Sequence, residues 1–266
     1  MTKRTLKLVW SPQLRNRRDV DVYLPASYAS GIPYPVVYMH DGQNLSDPST
    51  AFSGTWELDA TIDRLGWRGI DAIYVGVHNS RKRLAEYSPF PDPRHGGGNA
   101  DDYLAFLVET LKPRVDRMFN TRRDRESTAV LGSSMGGLVS LYAYFRYPSV
   151  FGAAGVMSPS IWFGQGTILD FIHDARLPRG RLYLDVGTGE GAGTVRDVRR
   201  LGRLLVHKGF RRRRRPTTGT PGARALAGER RSASSSILRY IEDAGARHTE
   251  AAWASRLEGA LEFLLG

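Results

Sequence analysis

The sequence predicts a three-layer α/β fold, in which a mostly parallel β-sheet is covered by helices on both faces. Short apolar runs rich in β-branched residues alternate with longer amphipathic stretches along most of the 266 residues. This alternation is typical of parallel strands joined by crossover helices. Several of the runs are almost continuously apolar, as expected of strands buried on both faces. The length suits one domain, and we expect residues 1–266 to form one.

The predicted strands begin with two runs joined by a polar turn, which favours an antiparallel pair, Thr5–Trp10 and Val20–Leu24. The later runs are predicted to pair in parallel: Pro35–His40, Ile73–Val77, Thr128–Gly132, Phe151–Met157, Arg181–Gly187 and Ile237–Glu242. Apolar residues at helical spacing predict four main helices between or after them. These are Asp101–Met118, Leu138–Tyr147, Val195–Lys208, which Gly209 ends as a C-cap, and Glu250–Leu265. No long insertion follows Phe151–Met157, so we expect no large cap domain.

Composition excludes several classes of protein. The chain has no cysteine, which excludes disulfides, cysteine nucleophiles and thiolate metal sites. No apolar stretch is long enough to span a bilayer. The residues Met1–Trp10 begin with basic side chains, but no signal-peptide core follows them. We therefore expect a cytoplasmic protein without a membrane partner.

An arginine-rich segment, Arg211–Ser236, carries +7 of the net charge of +11 and leaves +4 for the rest of the chain. Its Arg, Gly, Pro and Ser content predicts a flexible insertion between a helix and the last strand. Loops that lead into parallel strands lie opposite the carboxyl ends, where active sites form. We favour a solvated loop over contact with phosphates or acidic partners, and we expect no specific nucleic-acid partner.

The residues Gly132–Gly136 read G-S-S-M-G, a G-x-S-x-G pattern between a predicted strand and a predicted helix. This is the setting of a nucleophile elbow, in which a sharp turn presents a serine hydroxyl. Small flanking residues let the strand and the helix approach each other, and of the two serines only Ser134 has glycines at both flanking positions. The sequence therefore predicts Ser134 as a nucleophile.

A serine hydroxyl needs an adjacent base, and after such an elbow the order along the chain is serine, acid, histidine. Two histidines follow at sufficient distance: His207, within a basic helix, and His248, after the last predicted strand. We favour His248 as the base. Glu190 is the first carboxylate in the loop after the preceding strand and is our choice of acid, with Asp185, inside that strand, as the rival.

The developing oxyanion requires two backbone N–H donors. Met135 follows the nucleophile and is predicted to supply one. The loop after Pro35–His40 reads H-D-G-Q-N, and Gln43 N–H is predicted to supply the other. A metal site on His40 and Asp41 is the alternative, which we reject because no further ligands are spaced to complete it.

Six motifs resemble those of the "putative esterase" family of α/β-hydrolases. They are V-V-Y-M-H-D-G-Q-N (Val36–Asn44), R-L-A-E-Y-S-P-F (Arg83–Phe90), L-G-S-S-M-G-G (Leu131–Gly137), M-S-P-S-I-W-F (Met157–Phe163), D-V-G-T-G-E (Asp185–Glu190) and R-H-T-E-A-A-W (Arg247–Trp253). The family includes enterochelin-type siderophore esterases, feruloyl and acetylxylan esterases, S-formylglutathione hydrolases and mycolyltransferases. The resemblance covers nearly the whole chain except Arg211–Ser236.

The resemblance implies an α/β-hydrolase fold, a Ser134–Glu190–His248 triad, oxyanion donors on Met135 and Gln43, and no cofactor or metal. It also implies active-site rim positions, with ordinary packing as the alternative for each aromatic: Trp56, Asn79, Tyr87 and Trp162. We expect hydrolysis of a small-molecule carboxylic ester through an acyl-enzyme. Transfer of the acyl group to an alcohol is the alternative, and a non-catalytic protein that binds through the basic segment is a third hypothesis. The sequence leaves the ester open.

Overall fold

A computed structural model of the chain describes residues 1–29, 31–51, 53–213 and 235–266. Within these ranges, nine strands form one sheet in the order β1-β2-β4-β3-β5-β6-β7-β9-β8. Their bounds are β1 Thr2–Ser11, β2 Asn16–Leu24, β3 Val36–His40, β4 Ile73–Val77, β5 Thr128–Ser133, β6 Ala153–Met157, β7 Gly180–Gly187, β8 Arg211–Arg212 and β9 Ser236–Asp243.

The sheet is antiparallel at one edge and parallel elsewhere. Strand β2 pairs antiparallel with both β1 and β4, and every pairing from β4 through β8 is parallel. This confirms the predicted antiparallel start and the mostly parallel sheet that follows it. Because β3, β5 and β6 are neighbours, the loops after their carboxyl ends meet at the same edge of the sheet.

Helices cover both faces. Their bounds are α1 Leu58–Trp67, α2 Arg83–Glu86, α3 Ala100–Ala105, α4 Lys112–Met118, α5 Met135–Arg146, α6 Thr167–Asp174, α7 Ala192–Lys208 and α8 Glu250–Leu265. Apolar side chains of α3 to α7 pack on one face, and those of α1 and α8 pack on the other. Alternate residues of β3 serve the two layers: Val36 and Tyr38 join the first, and Val37 and Met39 join the second.

Two sequence predictions about helices need adjustment. The predicted helix Asp101–Met118 is divided, because a π-helical stretch, Phe106–Leu111, separates α3 from α4. The helix predicted to start at Leu138 begins at Met135, directly after the elbow serine. The C-cap at Gly209 is confirmed, with φ at 115° in the left-handed region that glycine adopts without strain.

The arginine-rich segment does not start as a loop. Arg211 and Arg212 form β8 beside the amino-terminal half of β9, and the Arg212 guanidinium lies 5.2 Å from the centre of the Tyr240 ring. Ladder hydrogen bonds and this cation–π contact therefore hold the first two arginines, which composition alone assigned to a flexible loop. The predicted insertion also ended at Ser236, which is instead the first residue of β9. Residues 214–234, on which most of that prediction falls, lie outside the described residues.

The connection from β6 to β7 contains a short 3₁₀ turn, Phe163–Gly166, and α6. It is too short for a large cap, as predicted. In the described ranges, none of the helices has both the length and the apolar character that crossing a membrane requires.

Candidate active site

Three neighbouring strands end in the same unusual way. Asp41, Ser134 and Ser158 follow β3, β5 and β6, and their φ angles are 55°, 56° and 42°. Side chains other than glycine are rare in this backbone region because it is strained, and such strain concentrates at functional sites. The three turns present one carboxylate and two hydroxyl groups at the same edge of the sheet.

The elbow at Ser134 requires small neighbours. A Cβ atom on Gly132 would lie 2.7 Å from the Gly136 carbonyl carbon, so a larger residue would force the strand and the helix apart. Met135 is the first residue of α5, where backbone N–H groups lack partners within the helix. Ser134 Oγ lies 3.2 Å from Ser160 Oγ.

Glu190 and His248 are in contact. Glu190 lies in the loop after β7, His248 precedes α8, and His248 Nδ1 is 2.8 Å from Glu190 Oε2. The His248 side chain is 40% exposed, whereas that of Glu190 is fully buried. Ser134, Glu190 and His248 line one cavity of about 210 Å³, together with Ser158, Pro159, Ser160, Trp162 and Thr194.

The electrostatics of Glu190 favour the carboxylate. Burial acts to raise its pKa, but hydrogen bonds from His248, the Ser158 hydroxyl and the Gly187 N–H outweigh burial and lower it. The Ser158 hydroxyl donates to Glu190 Oε1 over 2.6 Å, and the Gly187 N–H donates to the same oxygen over 2.8 Å. Glu190 is therefore suited to accept the imidazole N–H of His248 as an anion.

The rival residues lie elsewhere. Asp185 is buried inside β7, where its Oδ2 is 3.0 Å from Arg256 Nε and its Oδ1 accepts the Ser158 N–H. Burial raises the pKa of Asp185 to about 6, despite the opposing charge of Arg256. His207 is exposed near the end of α7. Of the two candidate acids and the two candidate histidines, the structure brings together Glu190 and His248.

The loop after β3 lies against the elbow. Gly42–Asn44 forms a 3₁₀ turn, and a Cβ atom on Gly136 would lie 3.5 Å from Asp41 Oδ2. A side chain at Gly42 would clash with the backbone of Gly76 in β4, so only glycine fits there. Gln43 is buried, and its side-chain Oε1 accepts the Asn79 N–H over 3.1 Å. This contact fixes Gln43 beside the end of β4.

The family comparison agrees with this geometry. A family model described as "Putative esterase" matches residues 11–264. The chain belongs to this esterase family. It is therefore an enzyme that acts on esters.

Relatives of this esterase include proteins with assigned activities. The siderophore triacetylfusarinine C esterase of Aspergillus fumigatus is 32% identical over 54% of the chain, and the siderophore enterobactin esterase of Emericella nidulans is 42% identical over 31%. The matches span 49% and 26% of those proteins. An uncharacterized Bacillus subtilis protein, YbbA, is 29% identical over 73% of the chain and 80% of its own length.

Solved structures share the fold. The BES protein of Bacillus cereus superimposes with a TM-score of 0.74 and 20% identity, over 100% of this chain and 96% of that one. The enterobactin esterase FES of Shigella flexneri gives 0.71 and 19%, over 99% of this chain and 59% of that one. This confirms the α/β-hydrolase architecture for the esterase.

A clamped carboxylate fixes the loop after β3 in this esterase. Arg83 donates from Nε and Nη2 to the two oxygens of Asp41, both over 2.7 Å, and Asn79 Nδ2 donates to Oδ1 over 2.7 Å. Burial acts to raise the pKa of Asp41, but the hydrogen bonds and charge of Arg83 lower it. His40 is buried, which lowers its pKa to about 3, and its Nδ1 is 2.8 Å from the Tyr103 hydroxyl. Arg83 and Asn79 therefore bind the two oxygens of Asp41.

The four predicted rim residues divide. Trp162 is half exposed and lines the cavity. Asn79 instead binds the loop after β3 through Asp41 and Gln43. Trp56 and Tyr87 are buried, and neither lines the cavity. Their rings pack on other aromatic residues: Trp56 on Trp253, and Tyr87 on His40 and Tyr103. These contacts favour the packing interpretation for the two buried aromatics.

Five residues at the candidate site were not predicted from the sequence: Ser158, Ser160, Thr194, Trp253 and Arg256. The first two belong to the M-S-P-S-I-W-F motif, directly after β6 and beside the elbow strand. Their position directly after a parallel strand, like that of Glu190 after β7, is the signal that marks them. Trp253 ends the R-H-T-E-A-A-W motif, but nothing in the local sequence of α8 assigns a role to Trp253 or Arg256, because only folding brings α8 to the ends of β6 and β7.

Proposed function

We propose that this esterase is a serine carboxylic-ester hydrolase that works through an acyl-enzyme. One observation carries the proposal: the contacting pair Glu190–His248 and the strained Ser134 line the same cavity. A carboxylate on imidazole Nδ1 leaves Nε2 free to act as a base, and a serine nucleophile needs such a base.

The first half-reaction transfers the acyl group to the enzyme. Ser134 Oγ attacks the ester carbonyl carbon while His248 Nε2 takes the hydroxyl proton, and Glu190 stabilises the resulting imidazolium. The carbonyl oxygen gains negative charge and accepts hydrogen bonds from the backbone N–H groups of Met135 and Gln43. Collapse of the tetrahedral intermediate breaks the ester bond, and His248 gives its proton to the departing alcohol.

The second half-reaction uses water. His248 takes a proton from a water molecule, the hydroxide attacks the acyl carbon, and collapse releases the carboxylic acid and returns the proton to Ser134. These residues suffice for both steps without a cofactor. The partly exposed His248 supports direct access of water. The cavity of about 210 Å³, with Trp162 on its wall, supports a small ester with a planar or apolar group.

The test is hydrolysis of a panel of short acyl nitrophenyl esters by wild type, Ser134→Ala and Ser133→Ala. Ser133 is the matched control, because it is a buried serine next to the nucleophile. We expect Ser134→Ala to lose on the order of 10⁴-fold or more in kcat, since nucleophile, base and oxyanion donors act as a unit. Ser133→Ala should stay near wild type.

Two further measurements complete the test. A fluorophosphonate should add mass to the peptide that contains residue 134 in wild type and in Ser133→Ala, but not in Ser134→Ala. Product analysis with added acceptor alcohol separates hydrolysis from transfer, and the free acid should remain the main product. Undiminished turnover by Ser134→Ala would contradict the proposal, and a dominant new ester would replace it with acyl transfer.

A further inference from the structure

Ser158 occupies an unusual position beside the candidate triad. It follows β6 directly, it is fully buried, and its φ of 42° lies in the strained left-handed region. Its backbone N–H donates to Asp185, to the carbonyl oxygen over 3.0 Å and to Oδ1 over 3.1 Å. The backbone is thus held in a conformation that a serine rarely adopts, and such strain concentrates at functional sites.

The surroundings of the Ser158 hydroxyl fix its orientation. Trp253 Nε1 lies 3.1 Å from Ser158 Oγ, and Arg256 Nη2 lies 3.0 Å from it. An indole N–H and a guanidinium can only donate, so these two groups use both lone pairs of the hydroxyl oxygen. The single hydroxyl proton then has one acceptor, Glu190 Oε1, at 2.6 Å.

The surroundings of the Glu190 carboxylate also fix the role of each of its oxygens. Its Oε1 accepts from the Ser158 hydroxyl and from the Gly187 N–H, and both neighbours can only donate in this arrangement. A proton on Oε1 would find no acceptor among them, so the surroundings suit a carboxylate. The other oxygen, Oε2, is left to His248 Nδ1 at 2.8 Å.

We propose that Ser158 is a positioning residue, whose hydroxyl is oriented by Trp253 and Arg256 and holds Glu190 so that Oε2 binds the Nδ1–H of His248. This inference rests on the function proposed above for Glu190 and His248. It adds a directed chain of hydrogen bonds, from α8 through the end of β6 to the loop after β7, that determines which nitrogen of His248 carries the proton. The Ser158 hydroxyl contacts Trp253, Arg256 and Glu190, and it acts on the reaction through Glu190.

The experiment compares Ser158→Ala and Ser158→Gly with Ser236→Ala. Both Ser158 variants lose the hydroxyl, but glycine adopts a positive φ more readily than alanine. Ser236 is a matched control because it is also buried and its hydroxyl also makes a hydrogen bond, to the Pro178 carbonyl at the amino end of β9. For each protein we would measure kcat and KM on one nitrophenyl ester, and the downfield proton resonance of the His248 Nδ1–H by NMR, assigned by its absence in His248→Gln.

We expect both Ser158 variants to lose about tenfold to hundredfold in kcat, the range for one hydrogen bond to a charged group, with KM within about twofold of wild type. The Nδ1–H resonance should weaken or exchange faster in both. Ser236→Ala should keep kcat and the resonance.

Several outcomes would overturn the inference. If Ser158→Gly keeps wild-type kcat and the Nδ1–H resonance, the hydroxyl does not position Glu190. If alanine is impaired and glycine is not, backbone conformation and not the hydroxyl is what matters. Either result leaves the proposed function intact provided that Ser134→Ala is inactive, whereas an active Ser134→Ala contradicts the function itself. If Ser158→Ala fails to fold, Ser158→Gly decides the question.

Discussion

On each side of Ser134 a buried carboxylate lies near an arginine, but the two arginines bind their carboxylates differently. On the β3 side, Arg83 binds both oxygens of the buried Asp41. On the β7 side, Arg256 lies 3.8 Å from Glu190 Oε1 and leaves Oε2 to His248. Each side thus has a buried carboxylate near an arginine, but only Glu190 keeps an oxygen that the arginine does not bind.

This difference favours a structural role for Asp41 and agrees with the catalytic role that we propose for Glu190. Because Arg83 binds both oxygens of Asp41, this ion pair fixes the backbone of the loop that carries Gln43. Arg256 pairs mainly with Asp185 at 3.0 Å and reaches Glu190 through the Ser158 hydroxyl. The positive charge is therefore close enough to favour an anionic Glu190, but it does not replace His248 as the partner of Oε2.

The largest effect that tests this comparison is expected for Glu190→Gln. Because Ser158 and Gly187 both donate to one oxygen, the amide oxygen should take that position and the NH₂ group should face His248. His248 Nδ1 would then have to accept, which moves the imidazole proton to Nε2 and removes the base. We expect kcat on a nitrophenyl ester to fall roughly 10³- to 10⁴-fold with the fold intact, as judged by circular dichroism.

Asp243→Asn is the control for Glu190→Gln. Asp243 is the third carboxylate near Arg256, with its Oδ2 3.3 Å from Nη1, and it does not touch His248. Its conversion to the amide should leave kcat close to wild type. Equal losses in the two variants would mean that the charge around Arg256, and not the contact with His248, governs turnover.

A smaller effect is expected for Arg83→Lys on the other side. Lysine cannot bind both oxygens of Asp41, which leaves a buried carboxylate short of one hydrogen bond. We expect a loss of about 2 kcal/mol in the free energy of unfolding in urea, and a fall of roughly tenfold in kcat as the loop loosens. The control is Arg68→Lys, at an exposed pair with Glu262, which should leave stability close to that of wild type. Wild-type stability in Arg83→Lys would contradict a structural role for the pair.

The last test is the pH dependence of stability, whose sign differs between two buried aspartates. The pKa of Asp41 lies below its ordinary 3.8 in the folded protein, so the stability that it contributes is present above pH 3.8 and is lost as the pH falls further. The pKa of Asp185 is raised to about 6, so its contribution is greatest at low pH and is lost as the pH rises through 6. The free energy of unfolding, measured from pH 2 to 7, should therefore depend less on pH than in wild type. The difference should lie below about pH 4 for Asp41→Asn, and between about pH 4 and 6 for Asp185→Asn. The reverse assignment of the two slopes would contradict the comparison.

The sequence predicts the β7 side better than the β3 side for a physical reason. Ser134, Glu190 and His248 each follow a strand closely, and the carboxyl ends of parallel strands meet at one edge, so strand prediction alone brings them near one another. Arg83 and Arg256 lie instead within helices α2 and α8, and they reach Asp41 and Ser158 only where those helices pack. Such contacts depend on how loops and helices pack, which no local pattern records.

Fold class was easier to predict than element boundaries. The alternation of apolar runs and amphipathic stretches gave the sheet and its layers, because burial on both faces requires it. Composition wrongly assigned Arg211 and Arg212 to a flexible loop, because composition does not show that β9 has an open edge with which they can pair. The π-helical stretch within Phe106–Leu111 has the same apolar spacing as an α-helix and could not be distinguished in advance.

The last helix has a consequence for how the enzyme becomes active. Trp253 and Arg256 both belong to α8, and His248 lies just before it, after every strand of the sheet along the chain. The sheet must therefore be complete, and α8 seated on it, before Ser158 and Glu190 acquire their partners. Contacts between such distant residues form slowly, because the intervening chain must first be ordered. The triad that we propose is therefore assembled only when α8 packs on the sheet.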